Sequence, residues 1–139
     1  MADGRDDEEL RMVLQRLVRR IRANRGDESI GDTQIGVLFL LDKNGDSTPS
    51  GLAEHEHVSP PSMNRTLNGL ERAGYVTRSP STDDARRVNV ALTVEGRNLI
   101  RETRRLRTAW LSRRLAELDA VELGALEHAI PVLRRLADL

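Results

Sequence analysis

Cysteine is absent from the 139 residues of this chain. The protein therefore has no disulfide framework, no thiolate ligand for a metal and no thiol that could sense an oxidant. No apolar run approaches the roughly 20 residues that a membrane-spanning helix needs. The first residues are acidic, unlike the basic and then apolar start of a secretion signal. We therefore predict a cytoplasmic protein that does not enter a membrane.

Aromatic residues are also scarce, and the formal net charge is zero. Phe39, Tyr75 and Trp110 are the only aromatic side chains, which is little bulk for a large core. The length predicts one compact domain, and a partner subunit would help to bury its apolar stripes. The 22 basic and 22 acidic residues cancel, but residues 11–25 hold six arginines and no acid, and residues 97–114 hold seven arginines and one acid. This uneven distribution of charge along the chain says more about binding partners than the zero net charge does.

Helical spacing of the apolar residues predicts a chain that is mainly α. The second predicted helix is apolar almost all round, which places it in the core, and Asp32 or Thr33 is expected to cap it. Asp119 and Glu122 form a capping box for the last helix, and Pro131 should bend that helix or break it. The six predicted helices run over residues 6–25, 33–44, 50–57, 60–73 and 94–118 and from 120 onward.

The stretch of residues 58–74 organises the rest of the chain. Ser59 is a good N-cap, and the two prolines after it occupy positions where a missing N–H costs nothing. Met63, Leu67 and Leu70 recur at helical spacing and can face a core. The opposite face is short and polar, so it is either a solvated surface or a face that reaches base edges and phosphates in a major groove. With the short helix before it, the stretch forms a helix-turn-helix.

After residue 74 the apolar period changes from helical to alternating. Residues 75–78 and 88–92 are predicted strands, and the polar, turn-prone residues 79–87 between them can project as a hairpin tip. This tip ends in Arg86 and Arg87. It is either an ordinary solvated loop or a wing whose guanidinium groups enter a narrow minor groove.

The predicted element order is α-α-α-α-β-β-α-α, a mainly α (α+β) fold. Residues 32–92 form a winged helix-turn-helix lobe, and residues 1–31 and 93–139 form a helical dimerisation region. The apolar stripes of the outer helices have no obvious cover within one chain, so we expect them to pack across a two-fold axis in a homodimer. In the last helix the predicted seam steps by three and four residues, through Leu123, Leu126, Ile130, Leu133 and Ala137.

Six short motifs resemble, in order and spacing, those of the multiple-antibiotic-resistance regulator (MarR) family, over about residues 30–100. They are Thr33-Gln34 with Leu38 and Leu41, Thr48-Pro49-Ser50-Gly51-Leu52-Ala53, Ser59-Pro60-Pro61-Ser62-Met63-Asn64-Arg65, Leu70-Glu71-Arg72-Ala73-Gly74-Tyr75-Val76, Asp84-Ala85-Arg86 and Leu92-Thr93-Val94-Glu95-Gly96-Arg97. The resemblance implies a homodimeric transcriptional regulator, with repression the expected action, on pseudo-palindromic double-stranded DNA. It also implies that a small phenolic or lipophilic effector can release the DNA from a cleft between the dimer helices and the DNA-binding lobe.

The polar face of the fourth helix and the resemblance together give the expected DNA contacts. The helix that starts at Ser59 is expected in the major groove, with its polar side chains on base edges or adjoining phosphates. The resemblance places Arg86 in the minor groove, where Asp84 steadies it. The full expected set is Ser59, Pro61, Ser62, Asn64, Arg65, Asn68, Asp84, Arg86 and Arg87; no effector-binding residue is assigned.

Two residues depart from the family pattern in the turn before this helix. His57 stands where a glycine is usual, and histidine is among the residues enriched in left-handed backbone. Glu56 stands where an apolar residue is usual. We therefore expect the inner side of the third helix to be locally open, or ion-paired there to a group such as an arginine.

Other classes of function find less support. His55 and His57 do not share a helix face and no third ligand is placed near them, so no metal site is predicted. Phosphate loops, nucleophile elbows and zinc-hydrolase motifs are missing, so neither enzyme activity nor a cofactor is expected. The competing hypothesis is a helical module that holds RNA or an acidic protein, and such a module has no need for a wing. Its binding residues would be Arg101, Arg104, Arg105 and Arg107.

Overall fold

The computed structural model describes residues 4–139. Its element order is α-α-α-α-β-β-α-α, as the sequence predicts. Among these residues every helix is too short or too polar to cross a lipid bilayer. The elements are α1 (Gly4–Arg22), α2 (Asp32–Asn44), α3 (Pro49–Glu56), α4 (Pro60–Arg72), β1 (Val76–Pro80), β2 (Val88–Leu92), α5 (Val94–Leu115) and α6 (Ala120–Asp138).

The core lies around α2, which packs against α4, α5 and β2. Val37 and Leu38 of α2 have no exposed surface, and neither have Met63, Leu67 and Leu70 of α4. The three α4 residues are the apolar face predicted from helical spacing. The burial of α2 likewise confirms the interpretation of its nearly continuous apolar run.

The two strands form an antiparallel hairpin, in which Val76 lies opposite Leu92 and Arg78 lies opposite Val90. Ser47 adds a single bridge to this sheet. Its N–H donates to the carbonyl of Val90 at 3.1 Å, and its carbonyl accepts from the Val90 N–H at 2.7 Å. Because Ser47 directly precedes the residue that caps α3, the base of the hairpin is fixed to the helix-turn-helix.

Helix α5 starts at a close backbone approach to the end of α4. A Cβ atom added to Gly96 would lie 2.2 Å from the carbonyl oxygen of Tyr75, so only glycine fits there. Thr93 caps α5: its hydroxyl accepts from the Gly96 N–H at 3.0 Å and donates to the Gly74 carbonyl at 2.6 Å. Gly74 has φ 86°, the left-handed conformation that glycine commonly adopts just after a helix.

The outer helices α1 and α6 contain no buried residue. The predicted capping box of α6 is present, since the Asp119 carboxylate accepts from the Glu122 N–H at 2.8 Å and the Glu122 carboxylate accepts from the Asp119 N–H at 2.9 Å. Both helices nevertheless leave large apolar side chains facing solvent. These are Met12, Val13, Leu17 and Val18 on α1, and Val121, Leu126, Ile130, Val132, Leu133 and Leu136 on α6.

Several element boundaries differ from the sequence-based expectation. Helix α1 ends at Arg22 rather than Arg25, because the side chain of Asn24 folds back and donates to the carbonyl of Arg20 at 3.0 Å. Helix α5 stops at residue 115, before the predicted end, in a turn that leads to the cap of α6. Strand β1 also starts one residue later and ends two residues later than predicted. These ends depend on local side-chain bonds that apolar periodicity does not report.

The cap of α2 differs from expectation, and of the two courses expected for α6 at Pro131, a bend or a break, the break does not occur. Neither Asp32 nor Thr33 caps α2, because Gly31 holds the N-cap position. Gln34 stabilises this helix start instead, since its Oε1 accepts from the Gly31 N–H at 3.0 Å. Helix α6 runs through Pro131 without a break. The proline removes one helical hydrogen bond, but its position is exposed, where water can replace the missing donor.

Candidate nucleic-acid interface

The turn between α3 and α4 sets the direction of the outward-facing helix. His57 ends α3 in the left-handed conformation, with φ 54° and ψ 42°, as expected for the residue that replaces glycine. Ser59 is the N-cap of α4, and its hydroxyl accepts from the Ser62 N–H at 3.2 Å. Two prolines at the first helical positions then fix the backbone for the helix. Helix α4 therefore starts as the sequence predicts.

Glu56 lies beside a cleft rather than in the core. Its side chain is 27% exposed, and the nearest basic group is Nδ1 of His55 at 3.9 Å. Within the described residues its carboxylate forms no ion pair with an arginine. Of the two alternatives that the sequence left for this position, the structure therefore favours the locally open one.

The outward face of α4 is polar and accessible. Pro61, Asn64 and Arg65 are exposed, and Ser62 is half-buried beside the N-cap. A helix N-terminus with short polar side chains and backbone N–H groups is suited to phosphates and base edges. The arrangement fits a helix that enters a major groove with its first two turns.

The hairpin tip is held by its own hydrogen bonds. The Asp84 carboxylate accepts from the Arg86 N–H at 3.0 Å and lies 3.4 Å from Nε of the same arginine. The Asp84 carbonyl accepts from the Arg87 N–H at 2.9 Å, and the Arg87 carbonyl accepts from the Ser81 N–H at 2.9 Å. The side chain of Arg86 is 93% exposed. The tip therefore presents an exposed guanidinium group on an ordered turn, with the Asp84 carboxylate beside it.

A groove of about 480 Å³ brings α4 and the hairpin tip together. Asn64 of α4 and both wing arginines, Arg86 and Arg87, line it, with Thr48 and Ser50 from the start of α3. The other expected contact residues on α4 lie outside this lining. The groove combines hydroxyl, amide and guanidinium donors at one face, which is the set of groups that binds a nucleic-acid backbone.

Arg78 is a residue of this face that sequence reasoning missed. Its Nη2 donates to Oδ1 of Asn68 at 2.5 Å, and its Nε donates to the carboxylate of Glu71 at 3.0 Å. Asn68 was expected to contact DNA, but its amide oxygen is occupied by this bond. The alternation of side chains along the strand could have indicated this residue, because it places Arg78 on the same side of β1 as the buried Val76.

The arginines of the competing hypothesis are engaged within the chain. Arg104 donates to Asp42 at 2.9 Å, Arg105 pairs with Glu102 at 2.6 Å, and Arg107 donates to the carbonyl of Asn24 at 3.2 Å. The guanidinium carbons of Arg104 and Arg107 also lie 5.3 and 5.1 Å from the ring centre of Phe39. Burial, with the neighbouring charge of Arg22, lowers the pKa of Arg107. These arginines therefore all have partners within the chain, although the side chains of Arg104 and Arg105 stay 58% and 64% exposed.

A hydrogen bond joins the loop after α1 to the start of β1. The Tyr75 hydroxyl donates to the Asp27 carboxylate at 2.6 Å. This bond, with partial burial, raises the pKa of Tyr75 to about 12. The hydroxyl of Ser29, followed by that of Tyr75, holds the pKa of Asp27 below its usual value. The contact ties the outer region to the lobe and lies away from the candidate DNA face.

Two helices joined by a short turn, the second of them proline-led and polar on its outer face, and a two-stranded hairpin ending in arginines define a winged helix-turn-helix protein. Residues 30–88 match the MarR family. An HTH-type transcriptional regulator of Mycobacterium bovis is 34% identical over 137 residues, which cover 99% of this chain and 96% of that one. The chain belongs to the MarR family, whose members are transcriptional regulators and not enzymes. The HTH-type transcriptional repressor MdtR of Bacillus subtilis is 26% identical over 129 residues, 93% of this chain and 83% of that one.

Solved structures show the same architecture. A protein from Pseudomonas aeruginosa, assigned as a transcriptional regulator, superposes with a TM-score of 0.86 at 34% identity, covering 99% of this chain and 97% of that one. Streptococcus pneumoniae FabT, solved in complex with DNA, superposes with a TM-score of 0.69 at 25% identity, covering 97% of this chain and 96% of that one. The winged fold is therefore shared over nearly the whole chain.

Proposed function

We propose that the protein is a homodimeric, sequence-specific DNA-binding repressor of transcription that acts on a pseudo-palindromic operator in the cytoplasm. Residues 32–92 are the DNA-binding lobe, and residues 1–31 and 93–139, of which residues 1–3 lie outside the described part, are the dimerisation region. The observation that carries the proposal is the groove in which Asn64, Arg86 and Arg87 converge. The FabT complex with DNA and the repressor MdtR support it.

The outer helices support the homodimer. The chain exposes 10,088 Å² of surface, whereas a compact monomer of 15.6 kDa exposes about 7,200 Å². The excess is on the order of an obligate subunit interface. Leu126, Ile130 and Leu133 of the predicted seam are 44%, 52% and 39% exposed. A second copy that packs on α1 and α6 would bury these side chains.

In the proposed complex each protomer inserts the start of α4 into one major groove. The two grooves lie about one helical turn apart, roughly 34 Å, and the dimer sets that distance. Arg65, Asn64 and Ser62 contact base edges or adjoining phosphates, and Ser59 contributes a phosphate contact besides its cap. Pro61 packs at the entry, and Arg86 enters the flanking minor groove with Arg87 near the backbone. Asn68 contacts DNA only through groups that its bond with Arg78 leaves free.

The proposed effector that releases DNA binds in a cleft of this fold. A cleft of about 590 Å³ lies between the end of α1 and α2, α3 and α5. Phe39 offers an aromatic wall, and Lys43, Glu56 and Arg107 offer charged groups. A small phenolic or lipophilic molecule bound there would act by preferring a dimer whose α4 helices no longer match the groove spacing.

Selection from random DNA duplexes tests the proposal. We expect a two-fold symmetric motif whose half-sites are about one helical turn apart. The affinity for the selected duplex should then fall steeply with salt, by about 0.9 in log–log slope for each phosphate contact. Enrichment of no duplex, a flat salt dependence or a preference for single-stranded RNA would contradict the proposal and favour the arginine-rich interaction module.

The wing has its own test within this proposal. Arg86→Ala should weaken binding most on selected duplexes with A/T-rich flanks, because a narrow minor groove concentrates negative potential. Arg105→Ala is a matched control, since Arg105 pairs with Glu102 on α5 at 2.6 Å and lies outside the candidate DNA face. Equal affinities of Arg86→Ala and the parent protein on every flank would remove the wing from the interface.

A further inference from the structure

Arg78 joins the outward helix to the first strand of the hairpin. Its guanidinium group donates to two residues of α4 that lie three positions apart, to Asn68 at 2.5 Å and to Glu71 at 3.0 Å. Residues with this spacing lie on one side of a helix. Arg78 therefore bridges a helix face to a strand, with two donors in a fixed plane.

The opposite strand of the hairpin is fixed as well. Arg78 lies opposite Val90 in the sheet, and Val90 exchanges two backbone hydrogen bonds with Ser47. The Asn89 side chain also donates to the Asp46 carboxylate at 3.2 Å. The base of the wing is thus held between the loop that precedes α3 and the C-terminal part of α4. The orientation of the base therefore sets the orientation of the wing tip.

We propose that Arg78 is a positioning residue for DNA recognition, which holds the wing at one orientation to α4 so that both grooves are engaged together. The inference rests on the proposed DNA-binding function. A wing that is already oriented loses little conformational freedom when Arg86 enters the minor groove, whereas a loosely attached wing must be ordered on binding.

The charges around Arg78 fit a positioning role better than a phosphate contact. Its side chain is 25% exposed, whereas that of Arg86 is 93% exposed. The carboxylate of Glu71 offsets its charge at 3.0 Å. An acid on a helix that faces DNA opposes phosphate binding, and the bridge to Arg78 gives Glu71 a structural reason to be there.

A double-mutant cycle on the duplex selected above tests the inference. Arg86→Ala in the parent protein should weaken binding about tenfold, and in the Arg78→Ala background it should weaken binding less than about twofold, because a displaced wing no longer reaches its groove. Arg105→Ala with Arg86→Ala is the control cycle, and there the two effects should multiply. If the effects of Arg78→Ala and Arg86→Ala also multiply, Arg78 does not position the wing.

A second variant separates positioning from charge by the sign of its effect. Glu71→Ala removes a negative charge from the DNA-facing helix, so charge alone predicts tighter binding. Positioning predicts that it weakens binding to the selected duplex about threefold, because Arg78 loses one of its two anchors. Tighter binding by Glu71→Ala would overturn the inference.

Two further outcomes complete the test. Arg78→Lys keeps the charge but cannot donate to both anchors in one plane. It should therefore restore less than half of the coupling between positions 78 and 86 that Arg78→Ala removes. Full parent affinity in Arg78→Lys would overturn the inference. Arg78→Lys and Glu71→Ala carry the test if Arg78→Ala fails to fold. If the parent protein binds no duplex, the proposed function fails as well, whereas independent effects with intact parent binding overturn only the role of Arg78.

Discussion

The winged lobe and the two outer helices differ in whether their apolar side chains are buried within one chain. Val37 and Leu38 in the lobe are fully buried within one chain, whereas Ile130 of α6 is 52% exposed and neither α1 nor α6 contains a buried residue. The core around α2 is thus completed within one chain, by side chains of the lobe together with Ile30, Leu99 and Ile100, whereas α1 and α6 leave large apolar side chains exposed to solvent. In the proposed dimer, DNA recognition and the spacing of the two subunits are therefore carried by separate parts of the molecule.

The largest effect should come from breaking the seam of α6. The double substitution Ile130→Asp and Leu133→Asp places charges at side chains that the proposed dimer buries in both protomers. Burial of each such side chain is worth about 1.5–3 kcal/mol, so the dimer dissociation constant should rise more than about 1,000-fold. Sedimentation velocity measures the change, and circular dichroism should still report a helical lobe.

Val121→Asp is the matched control for the seam. Val121 is 82% exposed and lies on roughly the opposite side of α6 from Ile130. The substitution Val121→Asp should therefore leave the dimer intact. If Val121→Asp dissociates the dimer and the seam variant does not, the predicted seam is on the wrong face of the helix.

A substitution at the start of α5 should damage the lobe instead. In Gly96→Ala the added Cβ would meet the Tyr75 carbonyl oxygen at 2.2 Å, and backbone cannot yield as a flexible side chain does. We expect a loss of about 3 kcal/mol in the free energy of unfolding, measured by urea denaturation. Gly36→Ala on α2 is the control: its Cβ would lie 3.9 Å from Glu56, and it should stabilise the protein by about 0.5–1 kcal/mol.

A smaller effect, confined to DNA, is expected on the outward face of α4. Arg65→Ala should weaken binding to the selected duplex by about 1–3 kcal/mol if Arg65 reads guanine with two hydrogen bonds. The dimer and the free energy of unfolding should be unchanged, because the side chain is exposed. Arg72→Ala in the last turn of the same helix is the charge-matched control. Equal weakening by Arg65→Ala on all sequences would instead assign Arg65 to a phosphate.

The smallest effect should come from the bond between the two regions. Tyr75→Phe removes the 2.6 Å bond to Asp27 and should lower the free energy of unfolding by about 0.5–1.5 kcal/mol. The raised pKa of Tyr75, to about 12, means that the bond stabilises the protein fully below pH 10, and that the stabilisation is lost as the pH rises through 12. The lowered pKa of Asp27 adds a loss of stability as the pH falls below about 3.8, the usual pKa of an aspartate.

The difference between the parent protein and Tyr75→Phe, measured by urea denaturation from acid to alkaline pH, checks this prediction. It should be constant between about pH 5 and 9 and should shrink at both ends. A difference that grows with alkaline pH would mean that Asp27 does not hold the tyrosine proton.

Local chemistry explains which features the sequence could predict. Ser59 as a cap and His57 in left-handed backbone depend only on neighbours along the chain, and the structure confirms both. The apolar faces of α2 and α4 follow from the spacing of apolar residues along the sequence alone. The expected DNA contacts were chosen by helix face, and they stay predictions until binding is measured.

Contacts between distant residues explain what sequence reasoning missed. Arg78 and Asn68 are ten positions apart and Asp27 and Tyr75 are 48 apart, so neither pair is visible in a periodic pattern. Pro131 was expected to bend or break α6, and the break is absent because an exposed helix tolerates the loss of one hydrogen bond more easily than a buried one.

Trp110 gives the molecule a built-in optical probe. It is the sole tryptophan, and its ring lies between Arg20 of α1 at 5.2 Å and Arg114 of α5 at 4.2 Å. Its indole emission therefore reports on the contact between α1 and α5, away from the candidate DNA face. Emission that changes when duplex is added to unlabelled protein would show, in real time, that DNA binding alters the packing of these two helices.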